Sequence, residues 1–318
     1  MNIQIIRLLA SRILTGIVSL LIVSVVIFCI TEVLPGDAAQ EQLGQEATAE
    51  SLAALRKQMG LDRPMTQRYW EWLSGMLAGD PGKSLITQTP VSSLIGSRLP
   101  NSLILAGITS LISVPLALFL GILCAVYRGS WFDRAVSSSA VAVVSIPEFL
   151  VATLLVLIFA VQLKWLPAIS YSGSSPTLAQ MFKYFTMPVL SLCCVIVAQM
   201  LRMTRAAVID QLRAPYIEMV TLKGASQARI VLAHALPNAV GPIANAVALS
   251  LSYLLGGVII IETIFNYPGV AKLMVEGVAQ RDMPLVQTCA MIFCTGYLLL
   301  VLVADMCGII SNPRLRHK

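Results

Sequence analysis

Apolar residues fall in six long blocks, separated by stretches where charged and polar residues gather with glycine and proline. The blocks lie near Ile13–Thr31, Ser102–Val126, Ala135–Leu163, Pro188–Met203, Ala239–Ile264 and Pro284–Ile310. A helix needs about 20 apolar residues to cross a ~30 Å hydrocarbon core, and the blocks are of that order. Lipid offers the backbone no hydrogen-bond partner, so each block is predicted to be helix. Arg7 and Arg12 precede the first block in the manner of a signal peptide. Its apolar run is too long for an h-region, however, and Pro35 and Asp37 stand where a small-residue cleavage site would fall, so it is predicted to remain as an anchor.

Composition agrees with this pattern. The 318 residues are 57% hydrophobic and 12% charged, where soluble domains carry about 25% charged residues. The chain is therefore expected to be an all-α polytopic membrane protein with six transmembrane helices in a single transmembrane domain over 1–318. Charge sets the orientation. With the N-terminus inside, the inner segments hold Arg7, Arg12, Arg128, Arg134, Arg202, Arg205, Arg213, Lys223, Arg229, Arg314, Arg316 and Lys318 against only Asp133, Asp210 and Glu218. Positive charge on short loops stays cytoplasmic, which predicts both termini inside. All seven cysteines fall within or at the ends of the spans, without metal-ligand spacing, and are expected to pack as small polarisable side chains. With only two histidines, His234 and His317, no metal site is expected.

The largest outer segment, 34–100, carries seven acidic and six basic residues. Leu52, Leu55, Met59 and Leu61 have helical spacing, with Thr48 or Ser51 as cap and Gly60 as stop. A second helix is predicted over Gln67–Leu77, with Tyr69, Trp70, Trp72 and Leu73 forming one apolar face at the membrane interface. The run Gly79-Asp80-Pro81-Gly82-Lys83-Ser84-Leu85 resembles the end of a phosphate-binding loop. That pattern needs glycine at position 77, where Leu77 stands, and the segment faces outward; nucleotide binding here is rejected.

Within the spans, Pro115 and Pro147 are each able to kink a helix and free carbonyls toward a pathway. Glu148 sits close to mid-membrane, where an ionisable group faces a bundle interior or a watery cavity. It reads either as a pathway carboxylate or as a hydrogen-bonded packing residue. Glu32, Glu262 and Asp305 lie near span ends, where contact with water is cheap. Trp165, Pro167, Tyr171 and Tyr184 give the outer loop 164–187 an interfacial belt, and Gly256 with Gly257 would allow close helix approach.

One stretch does not belong to this alternation. Residues 205–238 form a polar, net basic island, too long for a turn and too short for a domain. Pro215 suits a helix start, Gly224 a left-handed helix end, and Ala225–Ala235 a second helix. Pro237, Gly241 and Pro242 then suggest a bend into the fifth span. The island is predicted to be a helix, turn and helix along the inner membrane face, with an apolar tip able to enter a groove.

Here the chain resembles the cytoplasmic loop of bacterial ABC importer permeases, whose motif reads E-A-A, three residues, Gly, nine residues, Ile, one residue, Leu-Pro. Glu218, Met219, Val220, Gly224, Leu236 and Pro237 keep that spacing; Met219 and Val220 replace the alanines and His234 the isoleucine. His234, Leu236, Asn238 and Ala239 resemble the peptide, opine and nickel branch. So do Leu34-Pro35-Gly36-Asp37, Gly60-Leu61-Asp62-Arg63-Pro64, Gly79-Asp80-Pro81-Gly82 with Ser84, Leu99-Pro100-Asn101-Ser102, Ile146-Pro147-Glu148-Phe149, and Phe265 with Pro268-Gly269 leading to Arg281-Asp282-Met283-Pro284.

The resemblance implies the type I ABC importer permease fold, N-in and C-in, in a bacterial cytoplasmic membrane. It implies a second homologous permease, two cytoplasmic ATP-binding subunits gripping the island, and an external solute-binding protein. Membrane lipid surrounds the chain and no nucleic acid is involved. The coupling residues carried over are Glu218, Met219, Val220, Gly224, Ala225, His234, Leu236 and Pro237, and the candidate pathway residues are Pro147 and Glu148. No cofactor is expected on this chain, ATP and magnesium belonging to the partners. Two other classes stand as alternatives. An ion-coupled carrier would use Glu148 and Asp305 but has no need of the island; an intramembrane hydrolase would need a histidine at membrane depth.

Overall fold

The computed structural model describes residues 3–33, 36–44, 47–170 and 177–311. Among them helices account for the regular structure, and one isolated antiparallel bridge pairs Lys83 with Pro90. The helices are α1 Ile3–Val33, α2 Ala38–Leu43, α3 Ala49–Met59, α4 Met65–Leu77, α5 Val91–Val126, α6 Trp131–Val144, α7 Glu148–Leu155, α8 Leu178–Leu212, α9 Pro215–Leu222, α10 Gln227–Arg229, α11 Leu236–Ile264, α12 Val270–Ala279 and α13 Met283–Ser311. Two π-helical turns, Val156–Gln162 and Ile230–Ala235, extend α7 and precede α11. Among the described residues five helices are long and apolar enough to cross a membrane, six if α6 and α7 count as one span. Tyr171 of the expected outer aromatic belt lies outside the described residues.

The chain divides into two compact units. The larger comprises Met1–Ile13, Leu105–Phe265 and Tyr297–Lys318, the smaller Leu14–Ile104 and Asn266–Gly296.

In the larger unit the third predicted span is not one helix. α6 and the α7 segment meet at 98° across residues 145–147. Pro147 lacks an N–H, and its ring disfavours helical backbone at Ile146, so α6 ends at Val144 and α7 restarts with Pro147 as N-cap. Pro115, by contrast, stands inside the uninterrupted α5. The fourth span reaches well beyond Met203, since α8 continues through Arg205 to Leu212. Pro215 opens α9 at its first position, and Gly224 closes the turn in the left-handed region at φ 78°.

The expected second helix along the membrane face is corrected. Residues from Gln227 onward already belong to one helical span reaching Ile264. No break occurs at Gly241 or Pro242, because the proline is accommodated inside α11. Pro237 brings no N–H to the preceding turn, and that turn has widened to a π register.

α8 lies at the centre of this unit, with Leu192, Ile196, Met200 and Val208 essentially inaccessible. Gly121 of α5 meets it closely. A Cβ there would lie 2.9 Å from the Leu201 carbonyl oxygen and 2.8 Å from Thr204 Cβ. Gly121→Ala is therefore expected to push α5 off α8 and cost about 1–3 kcal/mol, as overpacking does, readable as a lowered unfolding midpoint in detergent.

The smaller unit is built on the outer segment. Thr48 and Ser51 form a reciprocal capping box on α3, and Gly60 ends the helix at φ 70°. The aromatic stripe of α4 divides instead of forming one interfacial face. Trp72 and Leu73 are buried with Phe28 and Met291, and Tyr69 packs edge-on against Phe28 at 5.3 Å, while Trp70 points outward, 65% exposed. Residues 69, 72, 73 and 76 share one helix face; position 70 lies off it.

Several short motifs distant in sequence meet here. The Asn101 amide donates to the Pro268 carbonyl at 2.8 Å, the Tyr267 hydroxyl to the Asn101 carbonyl at 2.9 Å, and the Val270 N–H to Ser102 Oγ at 2.9 Å. The Ser84 hydroxyl donates to the Asp282 carboxylate, which also accepts from the Leu85 N–H at 3.0 Å. The glycine-lysine-serine run thus serves as an internal tether for Asp282.

Candidate functional site

Three features of the larger unit carry the candidate residues: a turn with an exposed tip, a cavity at the broken helix, and an ion pair between α6 and α8.

The turn is folded over its own small core. Ile217, Ile230 and Ala235 are buried there, with Leu212, Val220 and Ala225 packed against them. Val220 and Ala225 therefore hold the turn together from inside. Leu236 packs on a neighbouring cluster of Ala125, Val208, Ile209 and Ala239. Glu218, Gly224 and Pro237 lie on the surface, as do Met219 at 58% and Leu222 at 77% exposure. His234 is half-buried and contributes its carbonyl, which accepts from the Asn238 amide at 2.7 Å and lies 3.4 Å from the Tyr216 hydroxyl. The candidate set thus separates into an inner half that shapes the turn and an outer half in which Met219, joined by Leu222, stands exposed beside Glu218 on a packed base.

The cavity, about 910 Å³, opens at the break between α6 and α7. Ser145, Pro147 and Glu148 line one side, Gln199 and Arg202 of α8 another, and Tyr253 of α11 a third. The Glu148 carboxyl rests against Gly257, its Cδ 2.9 Å from where a Cβ would stand. Gly257 thus makes room for the Glu148 carboxyl, while Gly256 faces open space; close helix approach through both glycines is not what this pair provides.

Sequence reasoning placed Asp133 and Arg205 only as inner-loop charges. Arg205 in fact grips Asp133 with two parallel bonds, Nε to Oδ1 at 2.6 Å and Nη2 to Oδ2 at 2.8 Å. Asp133 is 3% exposed and also accepts from the Gly129 N–H at 2.9 Å and the Ser137 hydroxyl at 3.2 Å. Bidentate guanidinium–carboxylate pairs are strong and directional. The 72-residue separation hid this one; the available signal was an acidic residue in an otherwise basic inner loop.

The carboxylates near span ends have three fates. Glu32 pairs with Arg68, and Asp305 lies 3.3 Å from Arg12. Glu262 is fully inaccessible, contrary to the expected contact with water. The last turn of α11 is itself interior, since Ile261 and Phe265 are equally buried; the end of a span need not be a surface.

The fold and these features define a helical membrane permease with a broken helix beside a cavity and an exposed turn. Residues 117–317 match the family described as the binding-protein-dependent transport system inner membrane component, and residues 5–106 match its N-terminal companion. The chain belongs to this family, and is thus a multi-pass protein of the bacterial cytoplasmic membrane and a permease subunit of an ABC importer. It is 36% identical over 308 residues to the glutathione transport system permease protein GsiC of Escherichia coli (strain K12), covering 96% of this chain and 98% of that one. To GsiC of Salmonella typhi it is 37% identical over the same length and with the same coverage.

Proposed function

We propose that this chain forms half of a translocation pathway for peptides or closely related small solutes, glutathione among them, and is driven through the turn at 215–224 by cytoplasmic ATPases. The observation that carries the reading is the exposed tip of Met219, Leu222 and Gly224 on the packed base of Ile217, Ile230 and Ala235. An apolar surface on a rigid support suits insertion into a groove of a partner. The coupling set is Glu218, Met219, Val220, Gly224, Ala225, His234, Leu236 and Pro237, spanning the island 205–238 on the cytoplasmic side; residues 34–100 face outward. The partners are a second, homologous permease, two ATP-binding subunits that hold ATP and magnesium, and an external solute-binding protein.

The mechanism follows from the connections. Closure of the ATPase pair draws the docked tips together. Because the turn packs on Leu212 at the end of α8 and runs without a break into α11, its movement is passed directly to the two helices that line the cavity. The Asp133–Arg205 pair makes α6 follow α8. Rigid-body rocking of this kind alternates access to a central site.

Pro147 and Glu148 stand on the pathway. Glu148→Gln is expected to raise KM severalfold for at least one solute, or to change the order of preference among solutes, while assembly is retained; uptake kinetics in proteoliposomes with the partner subunits check this. Unchanged kinetics for every solute would make Glu148 a packing residue. The driving force is tested in the same vesicles: uptake that requires ATP and ignores a proton gradient agrees with the proposal, and the reverse dismisses it in favour of an ion-coupled carrier.

A further inference from the structure

The smaller unit contains a second polar cavity of about 270 Å³, apart from any pathway residue discussed so far. Arg56, Arg68 and Arg281 line it, together with Glu32 and Asp37. Arg56 is bonded to Asp37 at 2.6 Å and Arg68 to Glu32. Arg281 has no carboxylate within ion-pair distance among the described residues. Arg68 Nε is buried and has no hydrogen-bond partner. Three guanidiniums supply about fifteen N–H donors against about eight lone-pair positions on two carboxylates. Among the described residues that line the cavity, three arginines stand against two carboxylates, a formal excess of one positive charge.

The backbone at Arg281 gives an independent indication. The Asp282 N–H returns to the Gly277 carbonyl at 2.9 Å and the Arg281 N–H to Val278 at 3.2 Å, which places Arg281 in the left-handed position that ends α12. Its φ is 58°. Glycine is the residue this position favours. An arginine there is held in a less favoured conformation by its neighbour: Asp282, 1% exposed, is tied to Ser84 and Leu85. Strained backbone at a site with a specific charge points to a ligand function.

We propose that this cavity is a carboxylate-binding site in which Arg281 receives a singly charged carboxyl group. A single excess charge suits a monoanion better than a sulfate or phosphate, guanidiniums match the planar carboxylate, and Leu61, Leu85 and Met283 offer an apolar wall for a short stem.

The test uses the permease purified with its partner subunits in nanodiscs, and follows its unfolding midpoint as acetate replaces chloride at constant ionic strength. Acetate is expected to raise the wild-type midpoint saturably by about 2 °C. Arg281→Gly removes the guanidinium but relieves the backbone; its midpoint in chloride should equal or exceed that of the wild type, with no response to acetate. A loss of response therefore does not reflect misfolding. Equal acetate responses in both proteins, or no wild-type response up to about 100 mM, a large excess over a millimolar Kd, would overturn the site. A sulfate response as large as that to acetate would overturn the carboxylate assignment. A second arm rests on the importer reading and identifies the source of the carboxyl group. Weaker binding of the external binding protein to Arg281→Gly marks a protein side chain, and a raised uptake KM with that binding unchanged marks the solute; either supports the site.

Discussion

Arg205→Ala is expected to yield a permease that inserts poorly or unfolds at markedly lower temperature. The substitution leaves the Asp133 carboxyl at 3% exposure with only the Gly129 N–H and the Ser137 hydroxyl for partners. Breaking a buried pair from one side is far more damaging than losing a surface one, typically about 3–5 kcal/mol, because the remaining charge is uncompensated. Arg205 keeps 28% of its side chain accessible, so a value near the lower end, about 3 kcal/mol, is expected. Asp133→Asn combined with Arg205→Gln removes both charges and should recover much of the loss. Unfolding midpoints of the single and double variants in detergent measure both effects. A single variant as stable as the wild type would show that the α6–α8 junction does not depend on this pair.

Gly224→Asp is expected to act on function without comparable damage to the fold. The glycine is exposed, nothing lies within 4 Å of an added Cβ, and its φ of 78° is a conformation that aspartate tolerates at modest cost. The new carboxylate would project from the apolar tip into whatever groove receives Met219 and Leu222, where an unpaired charge is strongly disfavoured. ATP-driven uptake should fall at least tenfold, as loss of about 1.4 kcal/mol or more of docking energy implies, while the unfolding midpoint stays within a few degrees of the wild type. Normal uptake by this variant would remove the tip from the coupling role.

The fold was largely legible because membrane helices are written as long apolar blocks, and five of the six expected spans are continuous helices among the described residues. The misreadings share a cause. Pro242 reads as a bend and Pro188 as the start of a span, yet both are carried inside helices while Pro147 ends one. The difference lies in the tertiary surroundings, which a local pattern does not encode. The same holds for the site. Spacing identified the turn and Glu148, since both interrupt an apolar background. It did not reveal that Val220 and Ala225 face inward and Met219 and Leu222 outward. Nor did it reveal the Asp133–Arg205 pair or the meeting of Ser84 with Asp282, because each depends on residues 72 to 198 positions apart.

Purification of the chain from its native membrane in mild detergent, with mass spectrometry of what accompanies it, tests the coupling proposal most directly. The account predicts recovery of a second permease and of ATP-binding subunits, with the latter lost selectively when Gly224 is replaced by aspartate. A chain recovered without ATPases, yet moving solute in liposomes under a proton gradient alone, would contradict it.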